Sequence, residues 1–115
     1  MTARSTRSGP RRKREPRNRM AEYRLSRRAV TDLEAIAEFT IGRFGIEQSR
    51  RYREESRDCF ERLAEQPAMG RRAEQLARGL RRFEHGSHTI FYERTDEGVL
   101  IVRVLHARMN ASWRF

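Results

Sequence analysis

A chain of 115 residues with a formal net charge of +10 has room for one small domain and no second one. Its longest uninterrupted apolar run, residues 99–102, falls far short of the ~20 residues that a membrane helix needs. The single Cys59 excludes an internal disulfide and suits a reducing cytoplasm.

The charge sits mostly at the start. Residues 1–20 hold seven Arg and Lys13 against Glu15, a net of +7, which leaves 18 basic and 15 acidic residues, a net of +3, over 21–115. This leader has no aliphatic run and contains two of the three prolines, the composition of a disordered segment. Arg11-Arg12 is not followed by an apolar stretch, so no secretion signal is expected. A basic tail of this kind can hold nucleic acid loosely through phosphates. The simpler reading is that Met20 is the true start and that the leader is not translated. The folded domain is then expected over residues 21–115.

Residues 21–25 alternate apolar and charged side chains, as a half-buried strand does. Ser26 is a good N-cap for a helix over 26–44, in which Ala29, Val30, Leu33, Ile36, Ala37, Thr40, Ile41 and Phe44 fall within about 140° of arc at 100° per residue. Glu34 and Glu38 belong to the other side, and Phe39 lies off the stripe beyond Ile36. Gly45 accepts a left-handed conformation and stops the helix. A second helix over 46–66 ends at Pro67, with Ser49, Tyr52, Ser56, Cys59, Phe60 and Leu63 facing inward. Glu47–Arg51, Arg50–Glu54, Arg57–Glu61 and Asp58–Arg62 are opposite charges at i,i+4, each worth ~0.2–0.5 kcal/mol, and mark a solvated face.

Met69 to Arg72 connect the helices to a sheet. Residues 80–84 form one strand, His85-Gly86-Ser87 a turn, and residues 88–94 pair back, with His88, Ile90 and Tyr92 on one face. Asp96-Glu97-Gly98 closes a hairpin into residues 99–106, which are apolar on both faces except at Arg103, the pattern of a central strand. Two antiparallel helices packed on a small, mainly antiparallel sheet make a two-layer α+β fold. Leu33, Ile36, Tyr52, Phe60, Ile90, Val102 and Val104 are its expected core.

Two segments carry a family signal. Gly79-Leu80-Arg81-Arg82 with Ser87-His88, Ile90 and Phe91-Tyr92 is the first, and Arg103-Val104-Leu105-His106 with Arg108 and Met109 is the second. At this separation and behind a helix pair, they resemble the ParE-type toxins of the RelE/ParE superfamily over about residues 21–109. Ser56 departs from the pattern, since the family commonly carries a larger apolar residue there; closer helix approach or a thinner core would follow.

The RelE branch cleaves messenger RNA on the ribosome, which calls for proton-transferring groups and a cation on the phosphate. His106, His88 and Arg81 are the candidates for such chemistry. The domain has no lysine, however, and Ala107 stands where a tyrosine would have supported catalysis. His106 with Met109 instead matches the ParE pattern. The histidines lack the spacing of a zinc site, and neither metal nor cofactor is expected.

The resemblance implies a non-catalytic toxin of the cytoplasm that poisons DNA gyrase, held in a hetero-oligomer by a ParD-like ribbon-helix-helix antitoxin. It places target binding at Arg108, Met109, Trp113 and Arg114, because Trp and Arg are common interface anchors. The alternative for this tail is that it folds back over the sheet edge. Antitoxin binding falls to Phe39, Arg81 and Arg82. A ribosome-dependent ribonuclease is the runner-up.

Overall fold

In the computed structural model, which describes residues 21–115, the chain runs through seven regular elements: β1 (Glu22–Leu25), α1 (Arg27–Phe44), α2 (Ile46–Glu65), β2 (Arg71–Arg72), β3 (Leu80–His85), β4 (His88–Arg94) and β5 (Gly98–His106). Short 3-10 turns lie at Pro67–Met69 and Ala111–Arg114. The leader assigned to residues 1–20 lies outside the described residues.

Local chemistry sets the helix limits. The Ser26 hydroxyl oxygen accepts from the Ala29 N–H at 3.0 Å, a side-chain cap, and the same hydroxyl donates to the Val102 carbonyl at 2.7 Å. One residue therefore starts α1 and ties it to the last strand. At the other end Gly45 takes φ 95°, open to glycine without a Cβ penalty, and reverses the chain directly into α2. Pro67 follows the end of α2 and opens the 3-10 turn.

The sheet has five strands in the order β1-β5-β4-β3-β2. β1 pairs with β5 in parallel, Tyr23 opposite Val99, and the remaining pairs are antiparallel. Gly98 is needed where these first and last strands meet, because a Cβ there would collide with the Glu22 backbone. Between Phe91↔Arg103 and Tyr92↔Ile101 the register slips by one, leaving Val102 as an extra residue in β5. Ile101 and Val104 consequently both join the helix-side core, whereas Leu105 packs on the far face.

β1 covers β5 only as far as Ile101. Beyond it, α1 takes over the edge: the Asp32 carboxylate accepts from the Val104 N–H at 2.9 Å and from Arg103 Nε and Nη2 at 2.9 and 2.8 Å. This is how the one charged residue of the strand is accommodated; the Asp32 hydrogen bond, chiefly, raises the Arg103 pKa further.

The main core joins Cys59, Phe60 and Leu63 of α2 to Ile90, Tyr92, Ile101 and Val104 of the sheet. Of the positions expected there, Phe60, Ile90 and Val104 are buried, while Leu33, Ile36, Tyr52 and Val102 are only partly so. Val102 is displaced by the bulge. The other three differ because α1 buries little beyond Ala29, and Leu33, Ile36 and Tyr52 line a space left between the helices. Across the sheet, Leu80, Phe91 and Leu105 form a second small core closed by Leu76 and Ala77 of the preceding loop and by Ala111.

Candidate binding groove and histidine cluster

The space between α1 and α2 is an open groove of about 370 Å³. Leu33, Ile36 and Thr40 of α1, with Tyr52 and Phe60 of α2, form apolar walls, and Tyr23 and Leu25 of β1 close one end. Its cause is legible in side-chain size. Ala37 faces the groove from α1, and Ser49 and Ser56 face it from α2. These residues are too small to fill the interval, and the shortage at Ser56 leaves a groove in place of a thinner core. The Ser49 hydroxyl oxygen is buried in the wall with no hydrogen-bond partner. Burial pushes up the pKa of the Tyr23 phenol at the closed end, and the nearby Arg57 partly offsets it.

Only three charged residues line the groove, Glu34 on the α1 side and Arg53 and Arg57 on the α2 side. At its hairpin end, around Gly45, Ile41, Phe44 and Ile46 expose large apolar side chains, an unusual grouping for a helix turn in water. Phe39 is 63% exposed but does not line the groove. It lies seven residues, two turns, beyond Asp32, and so occupies the flank of α1 that faces the β5 edge.

All three histidines meet at one end of the sheet. His85 and His88 are cross-strand partners, as are His88 and His106, whose rings stand edge to face with centroids 5.6 Å apart. Tyr52 of α2 closes the group, stacked on His85 at 5.1 Å, with its hydroxyl 2.9 Å from His88 Nδ1. Burial pushes the Tyr52 pKa up to about 12, so the phenol stays protonated while its hydroxyl pairs with His88 Nδ1. Burial likewise lowers the pKa of His85 and His88, with the neighbouring His106 adding to the effect at His88. The His85 Nε2 is buried without a partner. His106 is exposed, and its Nδ1 accepts from the Arg108 N–H at 3.1 Å.

Of the catalytic candidates, His88 and His106 are thus brought together and Arg81 is not. Arg81 lies four residues along β3 from His85, ~13 Å at ~3.3 Å per residue, and its guanidinium donates to the Gly70 carbonyl. Burial disfavours the charged forms of His85, His88 and Tyr52, which leaves these three groups poor in acid at neutral pH. Among the described residues, no group of three or more His, Cys, Asp or Glu side chains is placed to hold a metal ion. In the sequence Tyr52 is an inner-face helix residue, and nothing local signals that it hydrogen-bonds a strand 36 residues away.

Arg82, the neighbour of Arg81, points to the opposite face. Its guanidinium covers the Phe91 ring at 5.3 Å, and its Nε stands 3.6 Å from a Glu84 carboxylate oxygen, too far for a hydrogen bond. Phe115 packs against the same Phe91 ring with centroids 5.0 Å apart. The tail therefore folds back over the sheet, yet Trp113 remains 79% exposed. Arg108 and Met109 are exposed beside it, and Arg114 Nη2 rests 3.7 Å from the Met109 sulfur.

Residues 23–111 match the family described as "ParE toxin of type II toxin-antitoxin system, parDE". The chain is 47% identical over 92 residues to "Toxin ParE1" of Caulobacter vibrioides, an alignment covering 80% of this chain and 95% of the relative. It is 40% identical over 91 residues to "Toxin ParE1" of Mycobacterium tuberculosis, covering 78% and 93%. Its fold is similar to a chain of the solved structure "Chromosomal ParDE TA system from P. aeruginosa", with a TM-score of 0.63 at 18% identity over 76% of this chain and 96% of that one.

Proposed function

The chain belongs to the ParE toxin family of type II toxin–antitoxin systems, and from that premise we propose that it acts in the cytoplasm by binding and inhibiting DNA gyrase, and that a ParD-like ribbon-helix-helix antitoxin neutralises it. The observation that carries this reading is the interhelical groove with its apolar rim at Ile41, Phe44 and Ile46. Apolar surface of this extent favours a standing protein partner. An amphipathic antitoxin segment laid along the groove would bury it, in the helix-in-groove manner. Phe39 is reached only by a partner that continues around α1, and Arg81 and Arg82, on opposite faces of the sheet, contribute away from the groove.

Toxicity by binding also agrees with the state of the remaining polar groups. Arg81 is committed to a backbone carbonyl and His88 to Tyr52. Trp113, Arg108 and Met109 stand out from the surface as contact residues do, with Arg114 beside them. The convergence of the three histidines is the one observation favouring the runner-up, a ribosome-dependent ribonuclease.

The two readings separate in one experiment. His106→Ala, Arg108→Ala and Trp113→Ala are expressed in growing cells, and each purified protein is assayed for inhibition of supercoiling by gyrase and for cleavage of ribosome-bound messenger. The expected result is loss of gyrase inhibition in the Arg108 and Trp113 variants and little change in the His106 variant. Messenger cleavage by the wild type, abolished by His106→Ala with gyrase unaffected, would replace this reading with the ribonuclease.

A further inference from the structure

The groove is electrically lopsided. Glu34 is the charged residue on its α1 wall, and Glu38, four residues on, extends that acidic rim along the same helix flank. Arg27 shares the flank but precedes the apolar wall, which begins at Val30. On the α2 wall Arg53 and Arg57, also four residues apart, are the lining charges, and no carboxylate of α2 lines the groove, Glu61 standing one turn past Arg57 beyond the lining. Between these rims the walls are apolar, so an occupying helix must place its apolar face inward and one polar flank against each rim.

We propose that this polarity across the groove selects a partner helix whose two flanks carry opposite charge, and that it fixes the direction in which that helix lies. The inference rests on the groove being the partner site. A helix with a fixed apolar face has a left and a right flank, and turning it end for end exchanges them. Only one direction sets an acidic flank against Arg53 and Arg57 and a basic flank against Glu34. Exposed charge pairs add little to affinity, but they decide orientation, because the wrong direction opposes like charges on both rims at once.

The test uses two synthetic amphipathic peptides with the same Leu/Ile stripe. One carries Glu on the first flank and Lys on the second; the other has the flanks exchanged. Each bears a nitroxide at its N-terminus, and signal loss is read at amide groups near Thr40 and Ser49 at the hairpin end and near Tyr23 and Leu25 at the β1 end. The two peptides are expected to bind with affinities within a few-fold of each other and to lie in opposite directions, each with about a tenfold preference from the combined rim charges. In the toxin variant carrying Glu34→Arg, Arg53→Glu and Arg57→Glu, both directions should reverse. Because Arg57 also contacts Tyr23, the Arg53→Glu single variant with an unchanged melting curve serves as the control, and it should weaken the preference. Both peptides lying in the same direction, or a preference untouched by the charge reversal, would overturn the polarity while leaving the groove as the binding site. Failure of both peptides to bind would overturn the groove reading and this inference with it.

Discussion

Asp32 accepts three hydrogen bonds, and every donor belongs to the part of β5 that β1 leaves uncovered. Its side chain and that of Arg103 are 12% and 14% exposed, so removing one partner strands the other in a largely dry setting. Asp32→Ala is expected to lower the unfolding free energy by about 3 kcal/mol, as for a buried pair broken from one side, measured by urea denaturation. Asp32→Asn keeps an acceptor for the Val104 N–H and should lose less. The histidines give a pH dependence of definite sign. Burial holds the folded pKa values of His85 and His88 below the unfolded value of about 6.5, so the unfolded chain takes up protons first. Stability is therefore flat above that pH and falls as the pH drops below it, until the folded pKa is passed. Melting temperatures recorded from pH 8 to pH 5 should show the decline, and His88→Gln should flatten it. The Asp32 contacts were not legible in the sequence. Asp32 reads as an ordinary polar helix residue because its partner is 71 positions away, whereas the convergence of the histidines could be foreseen in part because hairpin register is local.

The helices were the most legible elements, since Ser26, Gly45 and Pro67 mark their limits through backbone chemistry that needs no distant partner. Their apolar stripes were also readable. What the stripes could not disclose is how far apart the helices stand, because that depends on side chains meeting across two elements. Ser56 is where this matters most: its small hydroxymethyl group leaves room that a larger apolar residue would occupy. Ser56→Leu is expected to place its side chain in the groove, keep the thermal midpoint unchanged or raise it, and weaken partner binding by about tenfold or more, since substitutions that fill a cavity commonly stabilise. Calorimetric titration with the cognate antitoxin alongside a melting curve would check both halves. A lower midpoint together with unchanged affinity would mean that the groove is neither spare volume nor a binding site.

Over the whole molecule, the tail has two parts with different duties. Phe115 lies on Phe91 and helps to close the far-side core, while Trp113 points outward. Phe115→Ala should lower the thermal midpoint by several degrees, in line with ~1 kcal/mol in a domain of this size, and Trp113→Ala should leave it unmoved. Toxicity lost on truncating the tail would then reflect both instability and a missing contact, and the two point variants separate them. The parallel pairing of β1 with β5 carries a consequence for how the protein is born. Tyr23 meets Val99 only after 76 further residues have been made, and this closure joins the first strand to the last. Contacts of such long sequence separation form slowly, whereas the α1–α2 hairpin closes locally around Gly45. During synthesis, the helical pair can thus take shape while its sheet is still incomplete, with its apolar faces bare. If the proposed groove is the antitoxin site, its handle would be on offer at the ribosome, before the rest of the domain has finished folding.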